Sequence, residues 1–272
     1  MSYKIHLHGV SRRAIWVAIV IVVSQFAIPS ARAASEGNPE DFRVEVTGAA
    51  WLVNPSGTLQ ASGTPIDLIS DLGAEQRQPT FYGRLIVKPG RKHRIVVEGT
   101  PFRISGFNTI NRQIVYRGET FNVDETVRSS ADLNYAFVGY QYDVLSGPAG
   151  HLGFSAGGAY LGATGVINTV PAGTTASKTE TIGLPLAGAE GRLFPIRGHR
   201  LLTIEGDIRG MDVGAYGHYL EASGSGGVSL GQVTVMAGYR TVDADIHSSN
   251  STNPEGVNVR FKGPIFSVEW RR

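Results

Sequence analysis

Apolar and polar residues alternate along short segments that cover most of the chain beyond residue 40. The clearest segment is residues 202–209, in which Leu202, Ile204 and Ile208 alternate with charged or hydroxyl side chains. A period of two residues places the two sets on opposite faces of a β-strand, one apolar and one polar. The pattern predicts about ten strands, within a range of roughly 8–12. The predicted strands are residues 42–48, 81–88, 93–98, 132–144, 152–160, 181–194, 202–209, 219–230, 232–246 and 258–271.

The connections between the predicted strands alternate between short and long. The short turns are centred on Gly90, Gly147, Gly198 and Gly231. The longer connections cover residues 54–79, 102–130, 165–178, 213–218 and 247–257. Bacterial outer-membrane barrels have short periplasmic turns and longer extracellular loops, whereas a soluble β-sandwich has no reason for this regularity. The alternation therefore predicts a single antiparallel transmembrane β-barrel, an all-β fold without a second domain.

One predicted strand, residues 132–144, departs from simple alternation. Its apolar residues change parity, from Leu133 and Tyr135 to Tyr140 and Tyr142. An extra residue in a strand reverses the facing of every side chain beyond it, and glycine is common at such bulges. We therefore expect a β-bulge near Gly139.

The N-terminus has the three parts of a secretory signal peptide. A basic leader precedes an apolar run at residues 14–23, and the small-x-small triplet Ala31-Arg32-Ala33 follows. This order predicts a cleaved signal peptide of residues 1–33 and a mature barrel domain of residues 34–272. The alternative is an uncleaved membrane anchor, but the apolar run falls short of the ~20 residues that a spanning helix needs.

Removal of the signal peptide changes the charge balance. The full chain has 25 Lys and Arg residues against 23 Asp and Glu residues, and several of the basic ones lie in the leader. The mature chain is therefore slightly acidic and lacks the dense basic face that nucleic-acid binding requires. Cysteine is absent, which excludes a thiol nucleophile, a cysteine-based metal site and a lipoprotein anchor. We expect no metal site and no cofactor.

The last predicted strand ends in alternating apolar and aromatic residues after a glycine. Gly263 precedes Phe266, Val268 and Trp270, which share one strand face. This arrangement resembles the C-terminal signal by which the outer-membrane barrel-assembly machinery recognises its substrates, with Trp270 in place of the usual final Phe. The resemblance implies two partners for the chain, namely the assembly machinery and outer-membrane lipid, including lipopolysaccharide.

Three further segments add to the barrel pattern. They are residues 66–73 before the second strand, residues 116–121 in the second long connection and residues 139–143. Together with the strand pattern they resemble small bacterial outer-membrane barrels of the OmpA-like class, over nearly all of residues 40–272. The resemblance implies location in the outer membrane of a Gram-negative cell. It carries over no catalytic residue, and we expect no counterpart of the peptidoglycan-binding domain.

The polar faces of the predicted strands carry many charges of both signs. In a barrel of about ten strands these side chains point into the lumen, where acidic and basic groups can pair. The residues expected in this network are Arg43, Glu45, Arg84, Arg94, Glu98, Glu190, Arg192, Glu205, Asp207, Arg209, Glu221, Arg240 and Glu269. We favour a polar plug over a narrow ion pathway, because small barrels fill their interior with side chains.

The best candidate for catalysis lies at the outer end of the ninth predicted strand. Asp245 and His247 are two residues apart and face the same way, and a His beside a carboxylate can activate water. The pair resembles the Asp-x-His pair at the rim of ten-stranded omptin proteases, which faces a pair of aspartates; Asp67 and Asp71 correspond to those aspartates by position. A lipid-modifying rim hydrolase is a related alternative, although the residues around His247 and Ser248 do not match the context of the His-Ser pair that lipid A deacylases of the outer membrane use.

The sequence therefore predicts a non-enzymatic outer-membrane barrel with a structural, adhesive or ligand-binding role and a plugged lumen. A small porin for ions or small solutes is the first alternative. A rim hydrolase that uses Asp245 and His247 is the second. The pattern identifies no extracellular ligand.

Overall fold

A computed structural model describes most of the chain beyond the predicted signal peptide. The described residues are 38–61, 64–171, 173–196, 199–212, 214, 217–247 and 255–272. The predicted signal peptide and part of the turn at Gly198 lie outside them. Among the described residues, no helix is both long and apolar enough to cross a membrane.

The fold consists of β-strands only, within the part of the chain that is described. Ten long strands form the wall: β1 (Val44–Ala61), β3 (Gln78–Gly90), β4 (His93–Thr109), β7 (Thr126–Gly147), β8 (Gly150–Val170), β9 (Thr175–Leu193), β10 (Leu202–Asp212), β11 (Gly217–Leu230), β12 (Val233–His247) and β13 (Glu255–Arg271). The short strands are β2 (Ile66–Asp67), β5 (Ile114–Tyr116) and β6 (Glu119–Phe121). Each of the ten predicted strands corresponds to one wall strand.

The wall strands form a closed barrel. Each strand is antiparallel to its neighbour, and the order follows the chain apart from the short strands. The last strand pairs with the first, with Val46 opposite Trp270 and Gly48 opposite Val268. Closure leaves no free edge, so the backbone of the wall can satisfy its hydrogen bonds without water. The predicted antiparallel transmembrane barrel is confirmed.

Side chains fix the register at the seam between β1 and β13. The indole Nε1–H of Trp51 donates to the carbonyl oxygen of Gly263 over 3.2 Å. A Cβ on Gly263 would lie 1.8 Å from the carbonyl oxygen of Leu52, so only glycine permits this close approach. Near the end of the seam, Arg271 Nε donates to Glu45 Oε2 over 2.9 Å.

The half of the wall next to the short turns, called here the lower half, has an apolar outer face. Outward residues such as Val138, Phe154, Ile204 and Val235 each have more than half of their surface exposed. Inward residues between them are mostly polar and buried. This arrangement suits a wall that faces lipid outside and a polar lumen inside, as the alternation predicts.

The half next to the longer connections, called here the upper half, has the opposite arrangement. Its outward residues, such as Arg103, Arg128 and Ser177, are polar and exposed. Its inward residues, such as Ile104 and Val127, are apolar and buried. A polar outside and an apolar inside are what water-exposed β-structure requires, so the upper half extends beyond the lipid.

This inversion explains the change of parity in β7, where the predicted bulge is wrong. The register of β7 against both neighbours runs without interruption through Gly139. Tyr135 and Phe137 point into the lumen and are buried, whereas Tyr140 and Tyr142 point outward and are more than two-fifths exposed. The apolar residues change face because the strand passes from the apolar core of the upper half to the lipid-facing lower half. The one irregularity in this pairing lies between Asp143 and Leu145.

The long connections are partly strand. The predicted loop 165–178 is mostly β-structure, because β8 continues to Val170 and β9 starts at Thr175. The predicted loop 102–130 likewise contains the end of β4, the start of β7 and the hairpin of β5 and β6. Alternation is weak in these segments: in β8, for example, the adjacent residues Val166 and Ile167 are both apolar although they point to opposite faces.

The position of the lipid boundary can be tested with one type of substitution at two outward sites. Ile208 is half exposed on the outer face of the lower half. Ile208→Arg should destabilise the folded barrel by about 2–4 kcal/mol, because a charge near the middle of the bilayer loses its hydration. Ser130→Arg, on the outer face of the upper half, should have almost no effect. Unfolding in lipid vesicles, followed by tryptophan fluorescence, measures both; equal losses would contradict this boundary.

Candidate functional site

Charged side chains fill the lumen next to the short turns. This floor cluster consists of Glu40, Glu45, Lys88, Arg94, Asp143, His151, Arg192, Glu205, Glu269 and Arg271, of which all but Glu205 are almost fully buried. Arg192 is its centre. Its Nη1 lies 3.0 Å from Glu45 Oε2, and its Nη2 lies 2.9 Å from Glu205 Oε2 and 3.2 Å from Glu269 Oε2.

A second group of charges, the middle cluster, lies above the first. It consists of Arg84, Glu98, Tyr135, Glu190, Asp207, Arg209, Glu221 and Arg240. Glu221 receives three contacts: Arg240 Nη2 at 2.7 Å, Arg209 Nε at 2.9 Å and the Tyr135 hydroxyl at 2.9 Å. Arg209 also reaches Glu98 Oε2 at 2.6 Å. The cluster thus joins opposite parts of the wall across the lumen.

The structure places twelve of the thirteen residues expected in the lumen inside the barrel, within these two clusters. Arg43 is the exception: it is exposed, and its Nη1 donates to the carbonyl oxygen of Pro89. The regular strand starts only at Val44, and alternation does not extend before it. For the same reason Phe42, the first residue of the predicted strand 42–48, points inward together with Glu45 and is buried.

Besides Tyr135, five residues of the two clusters were missed in the sequence. Glu40 lies before the first strand, where alternation gives no information, and Arg271 ends the last strand. Lys88, Asp143 and His151 lie at strand ends next to short turns, where a charged residue looks like an exposed turn residue. Each has the parity of the inward residues on its strand, which is the signal that could have identified it.

Pairing makes the burial of so many charges tolerable. A single buried ion loses several kcal/mol of hydration, and only close oppositely charged neighbours offset that loss. Here carboxylates and guanidinium groups alternate in space, so that most charges have two or more partners. Beside the middle cluster lies a cavity of about 30 Å³ bounded by Thr47, Asp207, Ser223 and Arg240, with room for about one water.

An apolar core fills the lumen in the upper half. Phe102 packs edge-to-face on Trp51, with ring centroids 5.4 Å apart, and stacks on Phe261 at 5.3 Å. Tyr135 stacks on Tyr219 at 6.4 Å, at the boundary with the middle cluster. Aromatic packing of this kind excludes water and adds to the free energy of folding.

A cap made of two loop segments covers the outer mouth. Its buried apolar residues are Ile66, Leu68, Leu72, Ile110, Ile114, Tyr116 and Phe121. Asp67 holds the first turn by accepting hydrogen bonds from the backbone N–H groups of Ile69 and Ser70. Burial raises the pKa of Asp67, but these two donors outweigh it, so the pKa lies below its ordinary value. Arg112 ties the second loop to the first through its hydrogen bond to Asp71 Oδ1, at 3.1 Å.

The structure does not join the two candidate catalytic pairs, Asp245 with His247 and Asp67 with Asp71, into one site. Asp245 and His247 lie on the outer face of β12, with 3.6 Å between Asp245 Oδ1 and His247 Nδ1. Asp67 and Asp71 belong to the cap, where their oxygens hold the turn and bind Arg112. Among the described residues, no group of three or more acidic, His or Cys side chains could hold a metal ion.

The residues of the predicted assembly signal lie on two faces of β13. Phe266 and Val268 point outward with more than half of their surface exposed, and Trp270 shares their face. Gly263 has the parity of the inward residues and packs against β1.

Removing one carboxylate from the middle cluster should destabilise the barrel strongly. Glu221→Gln leaves Arg209 and Arg240 without their shared partner in a buried space, so the free energy of unfolding should fall by about 3–5 kcal/mol. Arg103→Gln breaks an exposed ion pair with Asp132 and should cost less than about 1 kcal/mol. Denaturant unfolding in detergent compares the two; similar losses would contradict a tightly paired lumen.

Weakening the tie between the two cap loops should loosen the cap but not the barrel. Asp71→Asn removes the charge that holds Arg112, so the loops around residues 64–77 and 110–125 should be cut faster by protease added outside intact cells. Glu119→Gln, an exposed change in the same cap, is the matched control. The heat-modifiable gel migration of both variants should stay normal, and an unchanged cleavage rate for Asp71→Asn would count against the tie.

The fold is similar to that of known outer-membrane barrels. The outer-membrane protease OmpT of Escherichia coli aligns with 86% of this chain and 98% of its own, with a TM-score of 0.57 and 9% identity. The translocator domain of the autotransporter NalP of Neisseria meningitidis covers 96% of both chains, with a TM-score of 0.43 and 12% identity. Ail of Yersinia pestis covers 85% of this chain and 99% of its own, with a TM-score of 0.36 and 8% identity.

No protein-family model matches the chain, and no curated protein matches it in sequence. The likeness to OmpT shows the fold alone, and it supports outer-membrane barrels in general rather than the OmpA-like class in particular. The closed ten-stranded wall, its apolar outer band and its polar lumen agree with that fold. The chain therefore has the fold of bacterial outer-membrane β-barrels, as its sequence predicts.

Proposed function

We propose that this barrel is neither a pore nor an enzyme, and that it has a structural role and presents its extracellular half as a surface for adhesion or ligand binding. The observation that carries the proposal is the double closure of the lumen. Paired charges fill the lower half, and the aromatic core and the cap fill the upper half. A solute would have to displace both, so the porin alternative has less support.

The hydrolase alternative also has less support. Catalysis by a His and carboxylate pair needs a base with a substrate position beside it and groups that stabilise developing charge. Asp245 and His247 lie on the outer wall, not in the mouth, and are about one-third and one-half exposed. Asp67 and Asp71, which would complete the site, are engaged within the cap. The likeness to OmpT concerns the fold and transfers no residue.

The upper half offers a surface that fits the proposed role. The upper parts of β4, β7, β8 and β9 form a sheet whose outer face is rich in hydroxyl groups and carries Arg128 and the ion pair of Arg103 with Asp132. Exposed members of this face include Arg103, Ser105, Arg128, Ser130, Ser177 and Thr179. Phe107 is 59% exposed beside Arg128. Such a face suits sugars and phosphates, and we include lipopolysaccharide among its partners.

Assembly by the outer-membrane machinery is part of the proposal. Phe266 and Val268 point away from the lumen, where a receptor could bind them before the barrel closes.

The purified protein should show no steady conductance in planar bilayers, since both halves of the lumen are filled. A general porin in the same bilayers is the positive control. Large, steady, ion-selective currents would overturn the plug and favour the porin alternative. Hydrolysis of peptide or lipid A by the wild-type protein, abolished in His247→Ala, would instead favour the hydrolase.

A further inference from the structure

A short segment outside the strands enters the lumen from the end of the short turns. Residues 38–43 precede β1, and the backbone N–H of Arg43 donates to the carbonyl oxygen of Arg272. Before this point the chain turns under the barrel, where the backbone N–H of Glu40 donates to Asn38 Oδ1. The turn leaves Glu40 only 2% exposed, although it belongs to no strand.

Four cationic or titratable side chains converge on Glu40. Its carboxylate accepts from Arg94 Nη2 at 2.7 Å and lies 3.4 Å from Arg192 Nη1 and 3.3 Å from His151 Nδ1. Lys88 Nζ donates to the backbone carbonyl oxygen of Glu40 at 2.6 Å and lies 3.6 Å from its carboxylate. The segment thus places one carboxylate among side chains that two pairs of neighbouring wall strands supply.

These four side chains come from four different wall strands, namely β3, β4, β8 and β9. Three of them have further acidic partners within the wall: Asp143 for Arg94, Glu190 for His151, and Glu45 for Arg192. Those partners hold the donors in position whether or not Glu40 is present. Lys88 has no other carboxylate within ion-pair distance in the described part of the chain, so its charge is directed at Glu40.

A second residue of the segment strengthens its hold. Phe42 lies two residues after Glu40 and is 6% exposed. Its ring centroid is 4.5 Å from Lys88 Nζ, 5.4 Å from Arg271 Cζ and 5.6 Å from Arg94 Cζ. Cations over an aromatic face are attracted to it, most strongly where water is excluded. The Phe42 ring therefore helps to hold the segment in place, and it does so independently of the contacts that the Glu40 carboxylate makes.

From this geometry we propose that Lys88, Arg94, His151 and Arg192 form a carboxylate-binding site at the periplasmic mouth. Glu40 fills the site from within the chain, and residues 38–43 act as a tethered plug. When the Glu40 side chain is removed, a small external carboxylate binds in its place. The proposal goes beyond the proposed function, because it concerns the periplasmic end and holds whatever the extracellular half binds.

The absence of cysteine allows a matched chemical test. Glu40→Cys gives a single thiol, which is alkylated in the unfolded chain with iodoacetate or with iodoacetamide before refolding. The two adducts have nearly the same size, but only the first carries a carboxylate. The carboxymethyl form should recover at least half of the loss in unfolding temperature that the carbamidomethyl form shows. Asp41→Cys, at an exposed position of the same segment, should show no difference between adducts.

Binding of an external carboxylate is tested with Glu40→Ala. Sodium acetate should raise its unfolding temperature more than sodium chloride at matched ionic strength, and the wild type should not respond differently to the two salts. Equal effects of acetate and chloride on Glu40→Ala, or equal unfolding temperatures of the two alkylated forms of Glu40→Cys, would overturn the site. If Glu40→Ala does not fold, the pair of alkylated forms decides alone. Both results are independent of bilayer conductance, so the failure of this site and the failure of the closed-lumen proposal are distinguishable.

Discussion

The change of medium along each wall strand is the constraint on which the rest of this structure depends. In the lower half the outer face meets hydrocarbon, where a charge is costly, and in the upper half it meets water. Successive side chains point to opposite faces, so a change in the polarity of the outward residues can be accompanied by the reverse change in the inward residues. The interior is consequently polar where the outside is apolar, and apolar where the outside is polar. Strand β7 shows both arrangements within one unbroken register.

A narrow barrel has to fill both kinds of interior. In the lower half this is done by charges in mutual contact, because an isolated ion in such a space would be unstable. In the upper half it is done by apolar packing, which Trp51, Phe102 and Phe261 dominate. The two layers depend on each other: the aromatic core keeps outside water from the charges, which therefore satisfy one another. The filling that we propose to close the lumen thus follows from the strand pattern.

Much of the fold and of the lumen clusters could be predicted from the sequence, because alternation shows which side chains point inward wherever the outer face of a strand meets lipid. It placed all ten wall strands and the inward direction of residues such as Glu205 and Arg209. The prediction failed where a segment is not a regular strand with apolar outward and polar inward residues. In the upper half the alternation is weaker, as at the adjacent apolar residues Val166 and Ile167, so strand ends such as residues 165–170 looked like loop. Before Val44 there is no strand, so Arg43 was placed inside and Glu40 was overlooked. Contacts across the lumen, such as Tyr135 with Glu221, depend on closure and have no local signal.

The seam between β1 and β13 has a consequence for the size of the barrel. Every other pair of neighbouring wall strands is joined by a connection of the chain, whereas the first and last strands meet without one. Their register determines the shear, and shear together with strand number determines the diameter of a barrel. The fit of Trp51 on Gly263 and the pair of Glu45 with Arg271 select one register. These two contacts therefore set the diameter of the barrel. A register shift of two residues between β1 and β13 would change that diameter along the whole barrel.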